Sequence, residues 1–356
     1  MVKVVKKASV SAADLLAVFQ KDLGNEIGSF GGHLINRDRI PTGLFPLDLA
    51  LAGGFPRGKC SIIYGPESSN KTNIALLTIA SSQKLFPHLT CVFVDVEHSF
   101  DPDWATKMGV DVSKLIVIAP SYAEQAVDIV EAFLMAEDTG LVVVDSLAAM
   151  VTSSEAESSA DKALVGGAAL VCGKLARRST HALQEAAKAG RYPTLIYINQ
   201  ISYKIGVMFG DPETQPGGKK PQFQSSLTLR CFGKNEMDPK VSSVMPVRKA
   251  VKFIVRKHKV PILAASGEFD MVTYPHNGLT IGQCDDFKQI KGYLETFGMF
   301  EKGEKGKGWI IVGDHYDTQA AFEQKLHAEP LFGNEIRQAI IERVSKEEGL
   351  IDSEAD

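Results

Sequence analysis

The fold is decided by one stretch of sequence, Gly65-Pro66-Glu67-Ser68-Ser69-Asn70-Lys71-Thr72. An apolar run typical of a buried strand precedes it, and residues 73–80, whose composition is typical of a helix, follow it. A loop between a strand and a helix N-terminus is suited to anions, because backbone N–H groups converge there and the helix dipole adds partial positive charge. In such a loop Lys71 would reach the β- and γ-phosphates, and the Thr72 hydroxyl would hold Mg²⁺. We therefore predict a site for a nucleoside triphosphate with Mg²⁺.

Asn70 departs from the usual pattern G-x-x-x-x-G-K-[ST], which has glycine at this position. Glycine is needed where a loop requires a positive φ or a close backbone approach, and asparagine is the next most tolerant residue for left-handed geometry. The substitution is therefore compatible with a phosphate-binding loop. The alternative, a chance loop between unrelated elements, is disfavoured by the flanking strand and helix.

Length and composition place the chain among globular proteins. Its 356 residues suffice for one large domain with smaller appendages, and apolar and charged fractions of 44% and 23% allow a sizeable core. The net charge of −4 means that a nucleic-acid site must be a local basic patch. We find no apolar run that would span a bilayer and no signal peptide, so we expect a cytoplasmic protein without a membrane partner.

The cysteine pattern bears on redox state and metal binding. The five cysteines are scattered, and no two have the spacing of metal ligands: Cys60, Cys91, Cys172, Cys231 and Cys284. Two of them lie in strand-like apolar runs. We therefore predict buried, reduced thiols and no zinc site.

Strand-like and helix-like runs alternate from residue 40 to about residue 232. Such alternation predicts a parallel sheet covered by helices on both faces, with the ligand at the carboxyl ends of the strands. Three further runs resemble neighbouring strands without long connecting helices, which predicts an antiparallel extension of the sheet at residues 227–232, 250–256 and 269–274. From Gly278 onward we predict a separate small α/β module with three helices, one strand and an acidic tail.

An apolar helical pattern in residues 8–23 is separated from the rest of the chain by a glycine-rich stretch, residues 28–32. A short tethered helix cannot bury its apolar face alone, so it must pack on its own core or on a neighbouring subunit. The second arrangement implies an oligomer. The residues alone leave both arrangements open.

Acidic residues end two of the predicted strands. Asp145 follows four apolar residues, and it would either hold the hydration shell of Mg²⁺ beside Thr72 or cap a helix. Glu97 would accept a proton from the water that attacks the γ-phosphate, provided that the fold places it within reach. Trp104, at a predicted helix start, would either stack on an adenine ring or pack in the core. These strand ends therefore contain the candidate catalytic groups.

A long segment, residues 201–220, follows the predicted strand that ends near Gln200. Loops of this length inside compact domains are usually functional or disordered. Its lysines and aromatic residues are suited to following a phosphate backbone and inserting apolar groups between bases, or else to contacting another subunit. Gln200 would contact the γ-phosphate and transmit its presence to the loop as an order–disorder switch.

These residues together resemble the RecA family of ATP-dependent homologous recombinases. The resemblance covers nearly the whole chain, and its most specific part is the run around Gln200. The matching segments include residues 65–69, 97–98, 101–102, 142–146, 199–201, 204–210 and 212–214. Departures are spread throughout the chain, which indicates a divergent member such as a phage-encoded one.

The resemblance implies an α/β fold: a RecA-like P-loop ATPase core with a mostly parallel central sheet, an N-terminal helical polymerisation arm and a small C-terminal α/β domain. The implied boundaries are residues 1–38, 39–277 and 278–356. It also implies a helical filament of this chain on single-stranded DNA, paired with double-stranded DNA, with ATP and Mg²⁺ between adjacent subunits. Loader or single-strand-binding proteins are implied as further partners. The N-terminal helix then becomes the arm that packs on the adjacent subunit.

The resemblance also assigns roles within the active site. The implied ATP contacts are Gly65, Pro66, Glu67, Ser68, Ser69, Asn70, Lys71, Thr72, Asp101, Trp104 and Tyr274. Thr72 and Asp145 are the implied metal positions, Glu97 the catalytic base and Gln200 the γ-phosphate sensor. Lys257 and Lys259 resemble the pair that a neighbouring subunit contributes to the γ-phosphate.

Two DNA-binding loops are implied, at about residues 152–166 and 201–220. The implied contacts are Val165, Ser202, Lys204, Ile205, Gly206, Val207, Met208, Phe209, Gly217, Gly218 and Lys219. The first loop is acidic, and Ser202 stands where the family often has arginine. We therefore expect DNA binding to depend also on Arg177 and Arg178.

The resulting expectation is a DNA-dependent ATPase that polymerises on single-stranded DNA and promotes homologous pairing and strand exchange. One alternative is a hexameric helicase or packaging motor with the same core. Another is an ATP-switched DNA-binding filament with little hydrolysis, to which Asn70 points.

Overall fold

The computed structural model describes residues 13, 17, 21, 38–158, 166–203, 212–302, 308–311 and 314–347. Several predictions lie outside the described residues and stay predictions. They concern most of the N-terminal arm, the acidic tail, Val165 and residues 204–209.

A mostly parallel sheet of eight strands forms the centre of the molecule. In chain order the strands are β1 Cys60–Gly65, β2 Thr90–Asp95, β3 Leu115–Ile118, β4 Thr139–Asp145, β5 Thr194–Gln200, β6 Leu227–Glu236, β7 Arg248–His258 and β8 Ser266–Val272. Their spatial order is β8-β7-β6-β1-β5-β4-β2-β3. The six strands from β6 to β3 are parallel, and β7 and β8 add to one edge as an antiparallel extension. Both predictions for this sheet are confirmed.

Helices cover both faces of the sheet, as predicted. Those before β6 are α1 Phe45–Ala50, α2 Lys71–Leu85, α3 Pro102–Lys107, α4 Ala123–Met135, α5 Ser153–Glu157, α6 Gly167–Lys188 and α7 Lys220–Gln224. Successive strand residues point to opposite faces. Accordingly Ile63 packs in the cluster that contains α2, whereas Ile62 packs in the cluster that contains α4 and α6. Burial on both faces explains why these strands are apolar throughout instead of alternating.

Three short helices, α1, α5 and α7, were not predicted. α5 occupies part of the segment expected to be the first DNA-binding loop, residues 152–166. The side-chain oxygen of Thr152 accepts a hydrogen bond from the N–H of Glu155 at 3.2 Å and caps this helix. The sequence between Ser153 and Glu157 is too short for a helical pattern to be visible.

The parallel register brings several polar residues to one edge of the sheet. Gly65 at the end of β1 lies opposite Gln200 at the end of β5, and Asp95 at the end of β2 lies opposite Asp145 at the end of β4. Because these strands run in the same direction, the residues that come after them converge on the same edge. The phosphate loop, residues 65–72, begins at this edge.

The C-terminal part of the chain forms a small α/β module. Its elements are α8 Phe287–Thr296, β9 Phe300–Lys302, β10 Trp309–Ile311, β11 Asp314–Tyr316, α9 Gln319–Ala328 and α10 Pro330–Glu347. The three strands form an antiparallel sheet in the order β9-β10-β11. Only β10 was predicted, because its three residues are all apolar, whereas β9 and β11 contain charged residues and have no apolar pattern. The module's apolar cluster also takes in Phe45 and Leu49 of α1, so α1 joins it to the central part.

Two short antiparallel ladders complete the described strands. One pairs Arg39–Ile40 with Phe55–Pro56, and the other pairs Ser202–Tyr203 with Glu213–Thr214. The second ladder joins the two described ends of the long loop at residues 201–220. That loop therefore starts and finishes at the same place.

All five cysteines are free and buried. Burial raises the pKa of the Cys60 and Cys231 thiols to about 12, so both stay protonated at neutral pH. The predicted burial of the thiols is confirmed. None of the helices in the described part of the chain is long and apolar enough to cross a membrane.

Candidate active site

The phosphate loop has the backbone geometry of an anion-binding turn. Ser68 and Asn70 both have positive φ, +58° and +77°. The N–H of Ser69 donates to the carbonyl oxygen of Pro66 at 3.3 Å and closes the turn. Left-handed residues in such a turn direct successive backbone N–H groups to a common side. Asn70 thus takes the conformation that the glycine of the usual pattern provides, and α2 begins at the next residue, Lys71.

Two glycines let the loop approach the neighbouring strand β6. A Cβ on Gly65 would lie 2.3 Å from the carbonyl oxygen of Cys231 and 2.5 Å from Oγ of Ser69. A Cβ on Gly233 of β6 would lie 2.7 Å from the carbonyl oxygen of Ser68. Such contacts are far below van der Waals distance, so only glycine fits at both positions.

Lys71 lies folded back on the loop. Its Nζ donates to the carbonyl oxygen of Pro66 at 2.7 Å and to Oγ of Ser69 at 3.4 Å. Burial lowers the pKa of Lys71, with partial compensation from the carboxylates of Asp145 and Glu97. A desolvated ammonium held by neutral oxygens gains from an arriving phosphate, so this arrangement fits a nucleotide.

Thr72 and Asp145 form the candidate metal position. The Thr72 hydroxyl donates to Oδ2 of Asp145 at 2.7 Å. Burial raises the pKa of Asp145 to about 6, against the stabilising hydrogen bond from Thr72. Mg²⁺ is usually held by one or two protein oxygens together with water and phosphates. A hydroxyl and a desolvated carboxylate beside the phosphate loop therefore fit Mg²⁺ bound with a nucleotide.

Glu97 and Gln200 meet at the same edge. Oε1 of Glu97 accepts a hydrogen bond from Oγ of Ser146 at 2.5 Å and one from Nε2 of Gln200 at 3.4 Å. The N–H of Glu97 donates to the carbonyl oxygen of Asp145 at 3.1 Å, which fixes its backbone beside β4. Both Glu97 and Gln200 are exposed. A carboxylate oriented in this way, whose second oxygen accepts no hydrogen bond from the residues that the structure describes, is suited to act as a general base.

The residues expected to contact the adenine ring of ATP lie at the start of α3 and beyond β8. Asp101 caps α3 by accepting hydrogen bonds from the N–H groups of Asp103 and Trp104 at 2.9 and 3.0 Å. The Trp104 ring is half-buried against the core and its Nε1 donates to Oδ1 of Asn73 at 2.8 Å. Tyr274 is exposed beyond β8. Contacts of Asp101, Trp104 and Tyr274 with ATP stay predictions.

Lys257 and Lys259 lie away from the phosphate loop of their own subunit. Nζ of Lys257 donates to the carbonyl oxygens of Gln222, at 2.5 Å, and of Phe223, at 2.8 Å. Nζ of Lys259 donates to the same oxygen of Phe223 at 3.1 Å. These carbonyls end α7 and precede the amino end of β6, whereas the phosphate loop comes after the carboxyl end of β1. The two lysines are thus not brought together with Lys71 within one subunit.

The described ends of the two predicted DNA loops pack on the start of α6. A Cβ on Gly217 would lie 2.9 Å from Sγ of Cys172, and one on Gly218 would lie 3.3 Å from Cβ of Ala169. A Cβ on Gly167 would lie 3.5 Å from Oγ1 of Thr152, in the first loop. Both loops therefore leave the molecule side by side.

The two arginines of α6 differ in their surroundings. Arg177 is exposed. Arg178 donates to carboxylate oxygens of Asp128 and Glu131 on α4, and these carboxylates raise the pKa of Arg178. The charge of Arg178 is therefore already balanced within the subunit, whereas contact of either arginine with DNA stays a prediction. The pattern of the sequence could not reveal this pairing, because α4 lies about 50 residues earlier in the chain.

Comparison with known proteins agrees with this geometry. The family model described as the RecA N-terminal domain matches residues 13–276. The chain belongs to the RecA family.

Individual relatives extend this match over most of the chain. Protein RecA of Symbiobacterium thermophilum is 39% identical over 270 residues, which are 74% of this chain and 74% of that protein. Protein RecA of Thermus aquaticus is 35% identical over 312 residues, which are 87% of this chain and 86% of that protein. A solved structure of the RadB recombinase covers 65% of this chain and 96% of its own, with 21% identity and a TM-score of 0.45.

Membership of the RecA family establishes the broad activity. The chain is a RecA-like recombinase and an ATP hydrolase that uses Mg²⁺. The α/β fold expected for a RecA-like ATPase core is confirmed by the sheet described above.

Two residues of this RecA-family site were missed in the sequence. Ser146 donates to Glu97, and its place directly after Asp145 was the available signal. Asn73 joins Asn70 to Trp104, and its position three residues after Asn70, in the first turn of α2, was the available signal. The partner Trp104 is 31 residues away, so the contact itself could not be read from spacing.

Proposed function

We propose that this RecA-family recombinase assembles as a helical filament on single-stranded DNA and, driven by ATP, promotes homologous pairing and strand exchange with double-stranded DNA. The observation that carries the proposal is the convergence of three groups at the ends of adjacent strands. They are the phosphate loop with Lys71, the Thr72–Asp145 pair and the Glu97–Gln200 pair.

In the proposed reaction Lys71 exchanges its bonds to Pro66 and Ser69 for phosphate oxygens, because a charged acceptor binds the ammonium more strongly than neutral oxygens do. Thr72 and Asp145 hold the metal. Mg²⁺, when bound, supplies positive charge to the phosphate oxygens. Glu97 orients the attacking water and takes its proton, while Ser146 keeps the carboxylate in place.

Gln200 is proposed to report the γ-phosphate to the DNA-binding loop. Its neighbour Asn199 is buried, and Oδ1 of Asn199 accepts the N–H of Gln200 at 3.0 Å. Nδ2 of Asn199 donates to the carbonyl oxygen of Pro216 at 3.0 Å, at the far end of the loop. A shift of Gln200 toward a phosphate therefore acts on both ends of the loop at once.

The active site is proposed to be completed by an adjacent subunit. Lys257 and Lys259 are hydrogen-bonded to carbonyl oxygens of α7, and Lys257 pairs with Thr228 near the amino end of β6. Their position at the end of the sheet opposite to the phosphate loop supports a role at the neighbour's γ-phosphate. The N-terminal helix is proposed to pack on the adjacent subunit as a polymerisation arm, with the core at residues 39–277 and the small domain at residues 278–356. We also propose a cytoplasmic location, with loader or single-strand-binding proteins as further partners.

DNA is proposed to bind along the two loops that leave the start of α6. Ser202, Gly217, Gly218 and Lys219 lie at their described ends, and Lys219 is exposed. Glycines let a phosphate backbone approach main-chain N–H groups closely, which offsets the shortage of basic residues. Arg177 on the adjoining turn of α6 is exposed and completes the proposed contacts, whereas Arg178 does not.

The proposal is tested by ATP hydrolysis in Mg²⁺ with and without single-stranded DNA, together with uptake of a homologous duplex. We expect DNA to stimulate hydrolysis, and Lys71→Ala and Glu97→Ala each to abolish the stimulated rate. Glu97→Ala should still bind ATP and DNA, because it lacks only the base. DNA binding without stimulated hydrolysis would indicate a switch filament instead, and closed rings that translocate would indicate a helicase or motor.

A further inference from the structure

A series of side-chain hydrogen bonds connects Trp104, which is predicted to stack on adenine, with Asn70 of the phosphate loop. Nε1 of Trp104 donates to Oδ1 of Asn73 at 2.8 Å, and Nδ2 of Asn73 donates to Oδ1 of Asn70 at 2.7 Å. Nδ2 of Asn70 then contacts Sδ of Met271 in β8 at 3.3 Å. We call Trp104, Asn73 and Asn70 the asparagine relay.

The direction of every bond in the relay is determined by its first member. An indole N–H can only donate, so Asn73 must turn its oxygen toward Trp104 and its NH₂ group toward Asn70. Asn70 must then accept with its oxygen and turn its own NH₂ group away, toward the thioether of Met271, which is a weak acceptor. The relay therefore has one consistent set of hydrogen-bond directions. A change at Trp104 or at Asn70 consequently affects the other end.

The relay holds the phosphate loop at its least ordinary residue. Asn70 is 5% exposed and has φ +77°, directly before Lys71. Its side chain makes no capping hydrogen bond to α2, so the amide is engaged by Asn73 and Met271 instead. A glycine here would adopt the same φ without strain but would leave Asn73 without its acceptor. The substitution thus exchanges backbone freedom for a side-chain anchor.

We propose that Asn73 is a positioning residue that couples the phosphate loop to the orientation of the Trp104 ring. Ligand in the phosphate loop shifts Asn70, and Asn73 transmits that shift to the indole. The ring is therefore oriented for a purine as soon as the phosphates bind. This inference rests on the proposed nucleotide site. It adds a link between the part that binds the phosphates and the part that is predicted to bind the adenine ring.

The test uses a ligand that has phosphates but no base. Mg²⁺ with tripolyphosphate is titrated into the full-length protein, and Trp104 emission is followed while calorimetry measures binding. The chain has two tryptophans, so the signal of Trp104→Phe, which retains only Trp309, is subtracted. We expect tripolyphosphate to change Trp104 emission in the natural protein, although it cannot stack on the ring.

Three variants separate the relay from a simple tether of the ring. Asn73→Ala removes both bonds and should lose the emission response. Asn73→Asp keeps an acceptor for the indole, but Asn70 must then turn its NH₂ group from Met271 toward the new carboxylate, so the response should weaken while the ring stays tethered. Asn70→Gly keeps the left-handed backbone but removes the acceptor for Asn73, so it should also lose the response. Ser81→Ala, in the same helix and also half-buried, is the matched control and should respond normally.

Kinetics supply a second readout. Asn73→Ala should raise KM for ATP about three- to tenfold, the loss of one or two neutral hydrogen bonds, with kcat changed less than about twofold. An emission response to tripolyphosphate that persists in Asn73→Ala, or that comes from Trp309, overturns the relay. Tripolyphosphate binding in calorimetry without any Trp104 response in the natural protein also overturns it. Absence of binding in calorimetry instead contradicts the proposed nucleotide site, and the relay falls with it.

Discussion

Charged residues have different hydrogen-bond partners at the two ends of the central sheet, the carboxyl ends of the parallel strands and the amino end of β6. At the carboxyl ends of the strands, Thr72 bonds Asp145 and Gln200 bonds Glu97, so side chains from different strands already contact one another. Near the amino end of β6, Lys257 and Lys259 instead rest on backbone carbonyl oxygens of α7. Neutral oxygens leave the positive charge of the lysines uncompensated. At one end the candidate catalytic groups are thus already in contact, and at the other two lysines rest on neutral oxygens, which agrees with their proposed role in an adjacent subunit's site.

The largest expected effect comes from removing the cations of that second end. Lys257→Ala and Lys259→Ala should each lower DNA-stimulated ATP hydrolysis by at least about 100-fold, because a cation at the γ-phosphate stabilises charge developing in the transition state. Hydrolysis by a mixture of Glu97→Ala and Lys257→Ala subunits is the decisive measurement. Partial recovery in the mixture is expected, since some interfaces then pair an intact base with an intact lysine. No recovery would place both residues in the same subunit's site.

The next effect concerns the close approach of the phosphate loop to β6. Gly65→Ala should destabilise the protein by about 3 kcal/mol, because its Cβ would lie 2.3 Å from a carbonyl oxygen of β6. Denaturant unfolding measures the change. Gly292→Ala in α8 is the control, since nothing lies within 4 Å of its Cβ, and a gain of up to about 1 kcal/mol is expected there. Equal stability of Gly65→Ala and the natural protein would show that the loop is not pressed against β6.

A smaller effect arises from the raised pKa of Asp145. Its folded pKa of about 6 exceeds the ordinary carboxyl value of 3.8, so the folded protein binds this proton more readily than the unfolded chain does. The group's contribution to stability is therefore present at low pH and is lost as the pH rises from about 4 to about 6. If Asp145 holds the metal as proposed, activity depends on pH in the opposite direction, because metal binding requires the ionised carboxylate.

We therefore expect ATP hydrolysis at limiting Mg²⁺ to fall about tenfold for each pH unit below 6. Raising the Mg²⁺ concentration should move this acid limb to lower pH, since a bound cation favours the ionised carboxylate. The comparison requires hydrolysis rates at two Mg²⁺ concentrations. They are measured from pH 4.5 to 8, a range that extends about one to two pH units on either side of the pKa. If the pH dependence of hydrolysis on the acid side did not change with Mg²⁺ concentration, Asp145 would not be a metal-binding residue.

The smallest expected effect distinguishes the two arginines of α6. Arg178→Ala should leave DNA affinity unchanged and cost at most about 1 kcal/mol of stability, the range of surface ion pairs. Arg177→Ala should instead weaken DNA binding and lower its dependence on salt, as expected when one phosphate contact is lost. Fluorescence anisotropy with labelled single-stranded DNA at several salt concentrations measures both. Equal losses in the two variants would mean that Arg178 leaves α4 when DNA binds.

The sequence was most informative where function depends on residues at or just beyond a strand's carboxyl end. The strand before the phosphate loop, and the acids at Glu97 and Asp145, were predictable because parallel strands end at one edge. The location of Lys257 and Lys259 near the opposite edge was not, since it depends on the antiparallel register of β7 against β6. The pairing of Arg178 and the bond between Asn73 and Trp104 were hidden for a related reason. Both contacts join residues that lie far apart in the sequence, 50 and 31 positions, so no sequence pattern indicates that they meet.

The anchoring of the long loop by Asn199 has a consequence for how this protein can diversify. One buried amide ties the strand tip to the carbonyl oxygen of Pro216, and the ladder of Ser202–Tyr203 with Glu213–Thr214 closes the same neck. Once the neck is closed, doubling the length of the intervening chain costs only about 0.6 kcal/mol in closure entropy. Insertions, deletions and new residue types between the anchors are therefore cheap for folding and leave Gln200 in place. If this segment contacts nucleic acid as proposed, changes between the anchors would alter the preferred nucleic-acid partner and leave the hydrolytic site unchanged.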